Sequence, residues 1–67
     1  MPLYPEIRVR TKGRSPLALV AAVRQALRRA GIERREIARF STEAMNAVGP
    51  DEIDSVCSRW IGRADAD

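Results

Sequence analysis

Sixty-seven residues provide for one domain and no more, and a chain of this size buries only about 60% of its unfolded surface. Twelve basic residues, eleven of them arginine, oppose nine acidic ones for a net charge of +3, with no histidine and one cysteine, Cys57. That set excludes a structural zinc site, which takes about four His or Cys ligands, a disulfide framework and a His-based catalytic triad. It points to a non-enzymatic binding protein without a cofactor.

The residues Glu6 to Lys12 alternate, with Ile7, Val9 and Thr11 on one side and Glu6, Arg8, Arg10 and Lys12 on the other. This is the period of a half-buried strand over 6–12. Such a strand must pair with another segment or with a second copy of the chain, and pairing between subunits is the expectation. Ser15-Pro16 reads as a helix start, with Ser15 as the cap and Pro16 where its missing N–H costs nothing. The helix runs over 16–30 and stops at Gly31. Its apolar stripe is Leu19, Val20, Val23, Ala26, Leu27 and Ala30, and Arg24 and Arg28 share another side.

A second helix over 34–48 follows, with Glu33 and Glu36 at its positive dipole end. Ile37, Phe40, Ala44 and Val48 form its stripe. Pro50 opens a third helix over 50–61, where Ile53, Val56, Cys57, Trp60 and Ile61 repeat at helical spacing. Residues 63–67 read as a frayed polar tail. The fold class is therefore mainly α with one N-terminal strand, in the order β-α-α-α. Its core is drawn from Leu19, Val20, Val23, Leu27, Ile37, Phe40, Ala44, Val48, Ile53, Val56, Trp60 and Ile61. Trp60 and Phe40 anchor that core, and Cys57 is a buried thiol.

The charge is segregated along the chain. Residues 1–40 hold ten basic against three acidic residues, or +7, and residues 41–67 hold two against six, or −4. A basic half of this kind attracts an anionic partner. The same Arg and Ala content also fits a compositional bias that merely places arginines on solvated helix faces, and the sequence leaves both readings open. The candidate anion or nucleic-acid contacts are Arg8, Arg10, Lys12, Arg14, Arg24 and Arg28. The first three project from one face of the strand, where arginine can donate bidentately to guanine in a major groove. No apolar run reaches the roughly 20 residues of a membrane span. The first residues lack a signal-peptide pattern, so the expected compartment is the cytoplasm.

The strand, the proline-initiated helix ending at Gly31, and the run Glu33 to Arg39 resemble the ribbon-helix-helix repressors and antitoxins. Gly31, Glu36, Ile37 and Arg39 carry the likeness. Glu33 departs from the Ser or Thr cap of that family, and Phe40, Ser41 and Thr42 depart from its apolar pattern. The resemblance implies a homodimer paired through the strand, with Arg8, Arg10 and Lys12 reading DNA in transcription regulation. The segments from Ala26 to Ile32, Glu36-Ile37 with Phe40, and Val56-Cys57 with Trp60 also resemble small phage and prophage proteins. That likeness implies, as an alternative, counter-defence: binding a host defence protein or sequestering a nucleotide signal.

Overall fold

The computed structural model describes residues 1–64. Its elements run β1 (Tyr4–Val9), α1 (Pro16–Arg29), α2 (Arg34–Asn46), α3 (Gly49–Trp60) and β2 (Ile61–Arg63). The mainly helical class with an N-terminal strand is as the sequence indicates, but the strand spans Tyr4–Val9 rather than 6–12, which leaves Arg10 and Lys12 in the loop after it. A short second strand is added at the other end.

β2 answers the question of the partner of β1 on one edge. The two strands pair in parallel, with Tyr4 opposite Ile61, Arg8 opposite Gly62 and Val9 opposite Arg63. Two parallel strands need a long crossover, and here all three helices supply it. The ladder is irregular between Tyr4 and Arg8, where Pro5 has no N–H to donate. Beyond the strand, Leu3 N donates to Arg59 O at 2.8 Å and Ala64 N donates to Val9 O at 3.0 Å. Arg63 belongs to this sheet, contrary to the expected frayed tail, and residues 65–67 of that expectation lie outside the described residues. Ile61 likewise leaves the helix: its backbone is extended at φ −134°, ψ 165°, and its side chain is buried.

The helix ends follow local chemistry. The Ser15 hydroxyl accepts from Ala18 N at 3.2 Å, and Pro16 holds the first turn. At the far end Gly31 takes φ +78°. Gly31 N then donates to Arg28 O and Ile32 N to Leu27 O, both at 3.0 Å. This pair of bonds satisfies two of the orphan carbonyls left by a helix terminus. α2 stops at Asn46, two residues short of the expected end. Val48 therefore becomes the residue preceding α3, with its N–H donating to Glu52 Oε1 at 3.0 Å.

The core lies between the inner face of β1 and the three helices. Ile7 and Val9 join Leu19, Val23, Leu27, Ile37, Phe40, Ala44, Val56, Cys57, Trp60 and Ile61 as buried residues. Val20 and Ile53 pack against this cluster half-buried. Val48 corrects the expected core outright, because the early end of α2 turns it to solvent at 77% exposure.

Gly62 is the closest fit in the sheet. A Cβ there would stand 2.8 Å from the Pro5 carbonyl oxygen and 3.7 Å from Arg8 Cγ. Substitution must push β2 away from β1. Gly62→Ala is expected to cost about 1–3 kcal/mol of unfolding free energy, as other overpacked positions do. Urea titration of the variant beside the parent measures it.

Candidate functional site

The six basic residues singled out in the sequence do not form one site. Two grooves take five of them, and α1 is a wall of both. The first, of about 970 Å³, runs between β1 and α1. Glu6, Ile7, Arg8, Val9 and Arg10 all line it in succession. Consecutive strand residues face opposite ways, so a groove that touches every one of them follows the strand's edge. Ala64, the residue after β2, also lines the groove, and the edge of β1 away from β2 carries no strand among the described residues. The opposite wall is built from small residues of α1, with Ala18, Ala22 and Ala26 among them, and Arg29 and Arg14 stand at the rim.

Arg8 lies across the outer face of the sheet over Gly62, and its guanidinium donates to Arg63 O at 3.0 Å. Arg14 folds back from the β1–α1 loop so that its Nε donates to Arg10 O at 2.6 Å. Each guanidinium has five donors, so both keep capacity for an anion while their stems are held in place. Lys12 is exposed in the same loop and lines neither groove.

The second groove, of about 560 Å³, lies between α1 and the start of α2. Arg24 and Arg28 enter from α1 and Arg34 from α2, above Ile32, Ile37, Ala38 and Ser41. Arg24 and Arg28 are one helical turn apart and so project side by side. Arg29 follows Arg28 by about 100° around the helix, which is enough to send it to the other groove. Arg29 and Arg34 thus join five of the six candidates as groove-lining cations. The spacing of Ala18, Ala22, Gln25 and Arg29 carries the signal for the first. Arg34 is brought in only by the packing of α2 against α1.

The ion pairs are made elsewhere. Among the described residues they are Arg39–Glu36 at 3.3 Å, Arg59–Glu43 at 3.8 Å and Arg63–Asp54. Arg8, Arg10, Lys12, Arg14, Arg24, Arg28, Arg29, Arg34 and Arg35 have no carboxylate partner there. Glu43 and Asp54, for which the sequence offers no partner, thus find theirs in α3 and β2. Glu43 also accepts a hydrogen bond from Trp60 Nε1 at 2.9 Å.

Cys57 is reserved for packing. It is 1% exposed, and burial, reinforced by the nearby Asp54 carboxylate, pushes its thiol from 9.0 up to about 11. A thiol held neutral in this way is a poor nucleophile. No group of three or more His, Cys, Asp or Glu side chains suited to a metal occurs among the described residues. Among the described residues, no helix is long and apolar enough to cross a membrane. Comparison of the chain with protein families, curated proteins and solved structures gave no match.

The raised Cys57 pKa has a definite sign in stability. Between pH 9 and 11 the unfolded thiol releases its proton while the folded one retains it. The unfolded state then binds fewer protons, and stability falls as pH rises through that window. Unfolding free energies measured at pH 8 and at pH 10.5 should fall more for the parent than for Cys57→Ala. Equal slopes would show that the thiol does not contribute.

Proposed function

We propose that this protein is a small non-enzymatic binder of nucleic acid that acts as a homo-oligomer through its β1–α1 half. The observation that supports the reading is the division of partners among the charges. The three ion pairs all fall within α2, α3 and β2, and the basic side chains of β1, the loop after it and α1 are left without carboxylates among the described residues. Arg8, Arg10, Lys12 and Arg14 are all exposed, and Arg8, Arg10 and Arg14 line one groove with Arg29. Guanidinium groups in such a set bind phosphate bidentately. Their combined field favours a polyanion over a single small ion.

The open edge of β1 is the place for a second copy. An antiparallel pair centred on Arg8 sets Glu6 against Arg10 of the partner subunit, and Arg10 against the partner's Glu6. A two-fold contact of this kind is self-complementary. The alanine wall of α1 leaves room for the incoming backbone. Regulation of transcription fits this arrangement, because paired strands present their outward arginines to a major groove.

A second reading draws on the in-chain pairing of β1 with β2. Since the sheet does not depend on a second copy for its first partner, the remaining edge is open to an extended segment of another protein, such as a host defence protein bound in counter-defence.

The readings separate in one titration. A fluorescent duplex is expected to bind with an affinity that drops steeply between about 50 and 200 mM salt, as counterions return to the phosphates. Arg8→Ala/Arg10→Ala should weaken it at least about a hundredfold, given charge-assisted bonds of about 1.5–3 kcal/mol each. Undiminished binding by that variant would remove the strand from the interface. No binding at low salt would favour the protein partner.

A further inference from the structure

The groove between α1 and α2 gathers Arg24, Arg28 and Arg34 apart from the strand and loop cations of the other groove. We propose that it is a separate site for a compact phosphoryl group, of the size of a pyrophosphate, carried on a nucleotide-class ligand.

Three independent features converge there. The first is the cluster itself. Arg24, Arg28 and Arg34 line one concavity with no carboxylate partner among the described residues. Three guanidiniums facing one space repel one another, and an anion between them reverses the sign of that interaction.

The second is the start of α2. A helix N-terminus carries about half a positive charge and leaves its first N–H groups unpaired. Glu36 in the first turn answers it in part and is itself paired with Arg39. Here Glu33 occupies the capping position without a side-chain hydrogen bond, and Arg34 is the first helical residue. A cation at that place works against the dipole. An external anion would satisfy Arg34 and the helix terminus together.

The third is Ser41. It lines the same groove, yet its Oγ is buried with no hydrogen-bond partner. A serine within a helix ordinarily bonds back to the carbonyl four residues earlier or points to water. This hydroxyl does neither, and a rotation about its Cα–Cβ bond is the route by which it would meet a phosphate oxygen. Ile32, Ile37 and Ala38 form the apolar remainder of the wall, a surface for the non-phosphate part of the ligand. The groove's volume of about 560 Å³ falls in the range of small-molecule sites, about 300–1,000 Å³.

The site is distinct in its residues from the β1–α1 groove, so the two can fail separately. Pyrophosphate and ADP are titrated in turn into the isotopically labelled full chain, with backbone amide shifts as the readout. Saturable shifts centred on Arg28, Arg34 and Ser41 are expected. Arg28→Ala/Arg34→Ala should weaken them about tenfold or more, and Arg8→Ala/Arg10→Ala should leave them in place. All four positions are exposed, so neither variant removes a core contact.

No saturation up to about 10 mM of either probe, an affinity too weak to count as specific, overturns the proposal. So do shifts that survive Arg28→Ala/Arg34→Ala or centre on Arg8, Arg10 and Arg14. Tighter binding of ADP than of pyrophosphate identifies a free nucleotide as the source of the phosphoryl group. Displacement of pyrophosphate from the Arg8→Ala/Arg10→Ala variant by a short oligonucleotide, at lower phosphate concentration than ADP requires, identifies a nucleic-acid strand instead.

Discussion

The environment of Trp60 is the interaction on which the remaining structure depends. Its ring meets Phe40 edge-on at 5.7 Å and Tyr4 at 6.1 Å, so that all three aromatics of the chain are in one cluster. Contacts of this kind add about 0.5–1.5 kcal/mol each beyond burial. The indole N–H, which would be costly to bury unpaired, donates to Glu43 of α2, and the Arg39 guanidinium stands 5.6 Å over the ring. One side chain therefore ties α3, α2 and β1 together. Because Trp60 is the last residue of α3, it also fixes where the chain leaves the helix. The next residue, Ile61, is buried and already in the sheet. The position of the open edge of β1 is thus set from the opposite end of the sequence.

This anchoring bears on the charge distribution. Binding an anion on one surface requires that the protein's own carboxylates stay away from it. The cluster around Trp60 and the β2 strand absorbs Glu43 and Asp54 into pairs with Arg59 and Arg63. The first turn of α3 holds Asp51 and Glu52, where the helix dipole favours them. Acid is retained in the half of the chain where helix geometry and local arginines use it. What reaches solvent on β1 and α1 is a nearly unopposed set of cations, with Glu6 as the local exception.

Much of the fold was legible in the sequence, for reasons that can be named. Ser15-Pro16 and Gly31 delimit α1 because capping and positive φ are local requirements of the backbone. The stripes of Leu19, Val23 and Leu27 and of Ile37, Phe40 and Ala44 are periodic, and burial follows period. β2 was not legible: three residues, Ile61 to Arg63, are too few to show alternation, and Ile61 fits the preceding helical spacing as well as it fits a strand. Val48 continued the period of α2 but was cut off by the departure of the chain at Ala47, where the backbone turns extended. The candidate site was legible as a set of residue types and not as a geometry. Arg8 and Arg24 are both free cations in the sequence, and only the placement of β1 and α2 on different sides of α1 separates them into two grooves.

The alanines of α1 shape the surface beside β1. A bias toward Ala and Arg would place both residues without regard to direction. Instead, Leu19, Val23 and Leu27 take the side of α1 buried against the core, while Ala18, Ala21, Ala22 and Ala26 line the groove with β1, Ala22 and Ala26 also packing against the core. Larger side chains at those positions would fill the space between helix and strand and cover the backbone groups along the strand's edge. Small residues hold the strand edge accessible while preserving high helix propensity. Arg29 at the end of the same stripe and Arg14 before its start line the same groove. The helix that packs the core is in this way also the helix that keeps a groove open, and the two tasks are assigned to different sides of a single amphipathic pattern.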